Sequence, residues 1–596
     1  MNAGTSREGR LLGKASRIDC HSLDWSLEGL DALYRHAPRR FIEKGDNPNF
    51  PRFSGVLPSY NRRPDPLNAA AKSQRPPMNL LKAASTVSLL TLASRVSGLV
   101  REQLIAASFG ASGFTDAYNV AFRIPNLLRR LFAEGAFSQA FVPLLANTRI
   151  SEGDAVTHRL IDAVATVLAW VLVATCVIGV AAAPALVWAM ASGLEKFDSA
   201  VLMTRVMFPY IGFMSMVALS AGILNTWGRF SIPAATPILL NVAVILVARL
   251  LTPTFEAHGL PGVYTLALGV MLGGVLQAGI QIPALKALGL MPQLRMGWRG
   301  LVEAWHHPGV RRVLKQMSPA LLGVSVAQIS LLVNTQLASH LATKSVSYLT
   351  YADRLMEFPT SLLGVALGVV LIPQLSAARA RGDKEGYSGM IDWGLRLVVL
   401  QTLPCAIALL VFAKPLLAVL FHYGHFSAED VLATVAPLQG YGLGLLGIVS
   451  VKILAPGYFA QLDTKTPVRI AIAVLVVTQM LNALFIFGLH IGVGGLALSI
   501  GLGATLNACW LLFGLIRLGV YKPQPGWLAF AARALVATAV LGAALVWADH
   551  SIDWLDRAHP ALRALKMAGV LGGVALLYAA VLTALGLKLK QFVRKA

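Results

Sequence analysis

From residue 78 onward, long apolar runs alternate with short polar breaks. Each run is close to the roughly 20 residues that an α-helix needs to cross a bilayer. About fourteen spans are predicted on this pattern: 80–108, 116–146, 160–190, 201–226, 233–252, 262–285, 316–340, 346–376, 391–418, 431–460, 468–488, 492–516, 527–548 and 564–586. The first, second and eighth carry charged residues within their apolar background. Residues 1–77 break the pattern: they are polar, rich in Arg and Pro, and hold no run fit for a signal sequence. They read either as a disordered cytoplasmic tail or as sequence ahead of a start at Met78, and no function is assigned to them.

Composition fixes the class. Only 13 % of the 596 residues are charged, against about 25 % in a soluble domain. With a mean hydropathy of +0.63, the chain reads as an all-α polytopic membrane protein. A formal net charge of +22 would suit a nucleic acid, but there is no basic soluble domain to bind one, so no nucleic-acid partner is expected. The excess base fits cytoplasmic loops instead. About 20 basic residues, Arg312, Lys384 and Arg517 among them, follow even-numbered spans, against about 6 after odd-numbered spans. Both termini are therefore expected in the cytoplasm.

The chain also repeats itself at an offset of 230. "GVYTLALGVMLGGVL" at 262–276 matches "GVGGLALSIGLGATL" at 492–506 in eight of fifteen positions. Pro143 falls on Pro373, and Ile223-Leu224 on Ile453-Leu454. The offset covers six spans, so both copies point the same way through the membrane, as in transporters built from parallel repeats. The expected organisation is an N-terminal lobe at 78–300, a C-terminal lobe at 301–520, and two further helices with a basic tail at 521–596.

Charge inside the spans is the candidate chemistry. Spans one and two carry Arg95, Arg101, Arg123, Arg129 and Arg130 against Glu102, Asp116 and Glu134. Span eight carries Asp353, Arg354 and Glu357, which can neutralise one another at helical spacing. Charge at bilayer depth usually faces an interior cavity. Asp116, Arg123 and Arg130 share a helix face at intervals of seven. Arg95 and Arg101 would diverge on a straight helix, and a bend at Gly98 would bring them together. Arg123 reads equally as a residue snorkelling to the interface, and Arg130 as a partner of Glu134. The leftover positive charge suits an anionic substrate, phosphate above all, because guanidinium binds two oxygens in one plane. The four cysteines are scattered and imply no metal site or disulfide framework. "HYGH" at 422–425 is not expected to bind metal. No ATP-binding loop or catalytic triad is present in the sequence, so a transporter is expected rather than an enzyme, without a cofactor. A coupling ion or the membrane potential stays open as its energy source.

The stretches "SRVSGLVREQLIAASFGAS", "TDAYNVAFRIPNLLRRLFAEGAFSQAFVP", "ILNTWGRFSIPA", "YADRLMEFP", "KTPVRIAIA" and "QPGW" resemble the MviN/MurJ family of lipid II flippases. These belong to the multidrug/oligosaccharidyl-lipid/polysaccharide exporter superfamily. The likeness runs from Met78 to the C-terminus, and the long span-two motif is its most specific part. It implies two six-helix lobes around a V-shaped central cavity, plus two C-terminal helices that help form a lipid-tail groove. It implies a bacterial inner-membrane protein that moves lipid II, an undecaprenyl-diphosphate-linked disaccharide-pentapeptide, to the outer leaflet. Membrane lipids are the other expected partners, and no protein partner is assigned. The family's cavity residues map onto Arg95, Arg101, Asp116, Arg129 and Arg354, with Arg130 and Glu134 in the same motif. Alternatives are a flippase for another polyprenyl-diphosphate saccharide and a cation-coupled drug exporter. The arginine excess disfavours the exporter.

Overall fold

A backbone amide inside a bilayer has no water to bond, so an apolar run must satisfy its own hydrogen bonds as a helix. The computed structural model describes residues 80–587 apart from 130–136 and 296, and the side chains of 80–85, 318–327 and 362–370 fall outside the description. No strand occurs among the described residues.

In the first half, α1 (Leu80–Phe109) and α2 (Gly113–Arg129) are followed by α3 (Ser138–Glu152), α4 (Asp154–Ala181) and α5 (Ala183–Ala191). Then come α6 (Phe197–Met207), α7 (Tyr210–Thr226), α8 (Ser231–Ala257), α9 (Tyr264–Gly279) and α10 (Gln281–Ala287). A short helix, α11 (Trp298–Trp305), leads into the second half. That half holds α12 (Pro308–Ser339), α13 (Ser345–Ala380), α14 (Lys384–Val411), α15 (Ala413–Phe421), α16 (Ala428–Phe459), α17 (Lys465–Ala483) and α18 (Val493–Arg517). Two helices close the chain, α19 (Trp527–Ser551) and α20 (Pro560–Ala584).

Ten helical segments among the described residues are long and apolar enough to cross a membrane. The other four predicted spans fall on α1, on α2 with α3, on α12 and on α13. The helices alone therefore do not establish a count of fourteen. The predicted second span is interrupted: α2 ends at Arg129, and α3 starts at Ser138 beyond the undescribed stretch.

The two halves meet at the end where α1 stops and α2 starts. Gly110 and Gly424 both have positive φ, 61° and 51°. There the chain passes so close that a Cβ on Gly424 would stand 2.1 Å from Ala107 O. His425 N donates to Ala107 O at 2.9 Å, and Tyr351 Oη donates to Gly110 O at 3.4 Å. Ser192 N donates to Gln336 Oε1 at 2.9 Å, and Gly193 N to Ser339 Oγ at 3.2 Å. These contacts close the two halves against each other at this end.

The histidines of "HYGH" belong to the same joint. Arg557, between α19 and α20, donates from Nε to His422 Nε2 at 2.9 Å and from Nη2 to Phe426 O at 2.6 Å. Arg563 Nη2 donates to His422 O at 3.1 Å. "QPGW" is held at the other end of α19. The buried Asp392 of α14 accepts from Trp527 Nε1 at 2.6 Å, Tyr521 Oη at 2.9 Å and Gln524 N at 3.1 Å.

The second half is packed along a seam of glycines between α16 and α18. A Cβ on Gly444 would stand 2.0 Å from Gly501 Cα, and one on Gly447 2.4 Å from Thr505 Cα. Small residues let helices approach closely where dispersion, not the hydrophobic effect, drives association. Overpacking a tight core costs about 1–3 kcal/mol. Gly444→Val is therefore expected to lower the thermal midpoint of the purified protein in detergent. Gly569→Ala on α20, with open space around it, should leave the midpoint unchanged.

Candidate functional site

Arg101 lies on α1 and is 7 % exposed, so its charge needs partners within the protein. Its Nη2 donates to Glu102 Oε1 at 2.5 Å, and its Nη1 to Asn241 Oδ1 of α8 at 3.0 Å. Asn241 is itself held, since its Nδ2 donates to Ser97 Oγ at 2.9 Å and Ser94 O at 3.2 Å. The guanidinium also lies 5.9 Å from the centroid of the Phe122 ring, within cation–π range.

Glu102 serves both halves. Arg354 Nε, from α13, is 3.4 Å from the same Oε1 that binds Arg101. Arg354 Nη1 lies 3.1 Å from Glu357 Oε2, so the expected pairing within span eight is extended across the molecule. Arg129, the last residue of α2, donates from Nε and Nη2 to Asn126 Oδ1 at 3.0 and 2.7 Å. Asn126 sits one turn earlier and fixes the plane of that guanidinium.

Arg101, Arg129 and Arg354 line one cavity of about 360 Å³. Its walls come from α1, α2, α3, α7, α8 and α9, and Arg354 is the second half's contribution. Its described lining holds three arginines and no carboxylate. Such a wall is chemically fitted to an anion with several oxygens, because each guanidinium presents donors in a planar fork.

Other expected site residues lie elsewhere. Arg95 is exposed and is not part of the cavity lining. α1 runs unbroken through Gly98, and six residues at about 100° each leave two side chains about 120° apart around a helix. Arg95 is instead within electrostatic reach of Lys452 on α16.

Asp116, which the resemblance maps to the cavity, is not part of its lining and bonds to the start of α13 instead. It accepts from Lys344 N at 2.8 Å, Ser347 N at 2.7 Å and Ser347 Oγ at 2.5 Å. The first turn of α13 has free backbone N–H groups, and a carboxylate level with them caps that turn from the neighbouring helix. Arg123 ties the halves together rather than snorkelling. Its Nη1 donates to Thr335 Oγ1 at 2.7 Å and its Nη2 to Thr350 Oγ1 at 2.9 Å. Arg130 and Glu134 lie outside the described residues.

Several site residues are uncharged and escape a search for charge: Asn126, Asn241, Tyr210 and Gln277. Their signal was an amide or hydroxyl inside an apolar span, a type that bonds across helices in membranes.

A multi-span helical bundle with a charged cavity at the junction of its halves is a transporter architecture. Comparison with known proteins supplies the family. The family profile described as "Lipid II flippase MurJ" matches residues 105–562. The chain is 51 % identical to a lipid II flippase MurJ of Burkholderia cenocepacia over 524 residues, covering 87 % of this chain and 100 % of the relative. It is 40 % identical to a probable lipid II flippase MurJ of Vibrio cholerae, covering 86 % of this chain and 97 % of the relative. The fold is similar to a solved lipid II flippase MurJ in an inward closed conformation, with a TM-score of 0.69 and 23 % identity over 85 % of this chain and 99 % of that one. It is also similar to an inward-facing multidrug resistance MATE family transporter of the MOP superfamily, with a TM-score of 0.61 and 14 % identity over 73 % of this chain and 98 % of that one. The chain belongs to the lipid II flippase MurJ family.

Removing one partner of a buried ion pair costs about 3–5 kcal/mol. Glu102→Gln keeps the side-chain shape but leaves Arg101 and Arg354 without their shared counter-charge. Its thermal midpoint in detergent should fall clearly, and adding Arg101→Met should restore part of the loss. An unchanged midpoint for Glu102→Gln would mean that water, not Glu102, balances these arginines.

Proposed function

We propose that the protein moves lipid II from the cytoplasmic to the outer leaflet of the bacterial inner membrane. The observation that carries this reading is the arginine-lined cavity, in a chain 51 % identical to a relative named as a lipid II flippase. A diphosphate entering an apolar slab loses its hydration. Arg101, Arg129 and Arg354 replace that hydration with charge-assisted hydrogen bonds. Asn126 and Asn241 hold two of the forks in place beforehand, so little orientational freedom is lost on binding.

Transport then follows alternating access, with one half rocking against the other around the site. The closed end faces outward in this scheme. Its bonds from Asp116 to the start of α13 and from His425 to Ala107 must separate to release the substrate. Both termini lie in the cytoplasm, as the loop charges imply.

Two experiments test this. Arg129→Ala should fail to complement a strain depleted of its own lipid II flippase, at normal membrane abundance by blot. Arg129→Lys keeps charge but loses the planar fork and should complement partially at best. Arg299→Ala, on the exposed surface of α11, should complement fully. Full complementation by Arg129→Ala would remove that arginine from the diphosphate site. The second experiment is orientation, read in a cysteine-free background. Ser112→Cys and Ser551→Cys should react with a membrane-impermeant thiol reagent added outside whole cells, whereas Arg295→Cys and Lys384→Cys should not. The reverse pattern would invert the assigned topology.

A further inference from the structure

The arginines enter the cavity from α1, α2 and α13. The wall supplied by α7, α8 and α9 is neutral and polar. Tyr210 and Asn225 of α7, Thr236 of α8 and Gln277 of α9 all line it. Tyr210, Thr236 and Gln277 are 1 %, 2 % and 1 % exposed, and they are bonded to one another. Tyr210 Oη donates to Gln277 Oε1 at 3.3 Å, and Gln277 Nε2 donates to Thr236 O at 3.1 Å. Behind them Gln281, fully buried, donates to Thr236 Oγ1 at 3.4 Å, and its own Oε1 has no partner among the described residues. The Asn225 carboxamide makes no hydrogen bond among the described residues. The ring of Phe122, also in the lining, lies 6.5 Å from that of Tyr210, centroid to centroid.

Buried amides in an apolar bundle are costly unless bonded. Here carboxamide capacity is left over beside a cavity, next to two aromatic rings. A carboxamide offers both a donor and an acceptor, which matches the N–H and C=O of an acetamido group as well as sugar hydroxyls. Aromatic rings offer apolar area to the C–H face of a sugar ring. A carboxamide N–H can also donate to a phosphate oxygen, but its C=O acceptor and the aromatic rings suit a sugar and not a phosphate.

We propose that the α7–α9 wall is a saccharide subsite. Asn225 and the Gln277–Thr236 network hydrogen-bond the acetamido and hydroxyl groups of the sugar joined directly to the diphosphate. This rests on the reading that the arginines hold the diphosphate. The proximal sugar is chosen over the peptide because its covalent bond to the diphosphate keeps it beside a wall that shares one small cavity with the arginines. The subsite gives the protein a means of rejecting other polyprenyl diphosphates, since a site built to hydrogen-bond a group discriminates against ligands that lack it.

The test uses the full chain in nanodiscs and three ligands: undecaprenyl diphosphate, its N-acetylglucosamine conjugate and its glucose conjugate. The wild type should bind the N-acetylated conjugate about tenfold more tightly than the glucose conjugate. Asn225→Ala, which removes an amide with no partner among the described residues, and Gln277→Leu should each abolish that preference. Both should bind undecaprenyl diphosphate like the wild type, while Arg129→Ala weakens binding of all three ligands. The two possible failures are distinguishable. A wild-type sugar preference in both wall variants overturns the subsite and leaves the diphosphate reading standing. Unchanged binding of undecaprenyl diphosphate by Arg129→Ala overturns the diphosphate reading, and the subsite with it.

Discussion

A guanidinium cannot sit inside an apolar slab without a counter-charge and hydrogen-bond acceptors, and the placement of Glu102 meets that need for two arginines at once. Its Oε1 is 2.5 Å from Arg101 and 3.4 Å from Arg354. One carboxylate therefore sets the distance between α1 and α13. Asn241 adds α8 to the same cluster. With three helices fixed in this way, the cavity has a rigid cationic wall, and Arg129 completes it from the end of α2. The three guanidiniums face the cavity, while Glu102 and Glu357, which pair with two of them, stand outside its described lining. The charge that is awkward for folding is what an anionic substrate needs.

The helices were legible in the sequence because hydropathy and length decide them. The tenth predicted span, 431–460, is α16 at Ala428–Phe459, and the twelfth, 492–516, is α18 at Val493–Arg517. The arginines were legible as a group, because charge inside an apolar run stands out. Their individual partners were not. Arg101 bonds a residue 140 positions away, and Arg123 bonds Thr335, 212 positions away. Such pairings depend on how helices rotate about their own axes, which hydropathy leaves undetermined. The same gap explains Arg95 and Asp116. Both share a motif with cavity residues, yet one points to the exposed side of α1 and the other caps a neighbouring helix. Amides were missed for a simpler reason: a search for charge ignores Asn225 and Gln277, although each interrupts an apolar helix.

The repeat makes two similar halves, and packing makes them different. In the second half, the glycines of α16 bring it against α18. In the first half, the repeat positions of Gly444 and Gly447 are Met214 and Val217, and both line the cavity. The residue at the repeat position of Gly222, which lines that cavity, is Lys452. Its Nζ donates to Thr360 O at 3.0 Å, so the second half fills with its own chain the kind of space that the first half leaves open.

The loop between α19 and α20 changes how the C-terminal pair should be regarded. Arg557 and Arg563 hold the 422–426 loop, and that loop holds the last turn of α1 through His425 and Ala107. The final two helices lie outside the repeat, yet they form a strut running from the tail to the first helix. A pull on α20 would reach the joint between the halves through one short relay of loops. Trimming the C-terminus would therefore slacken that joint as well as shorten the chain.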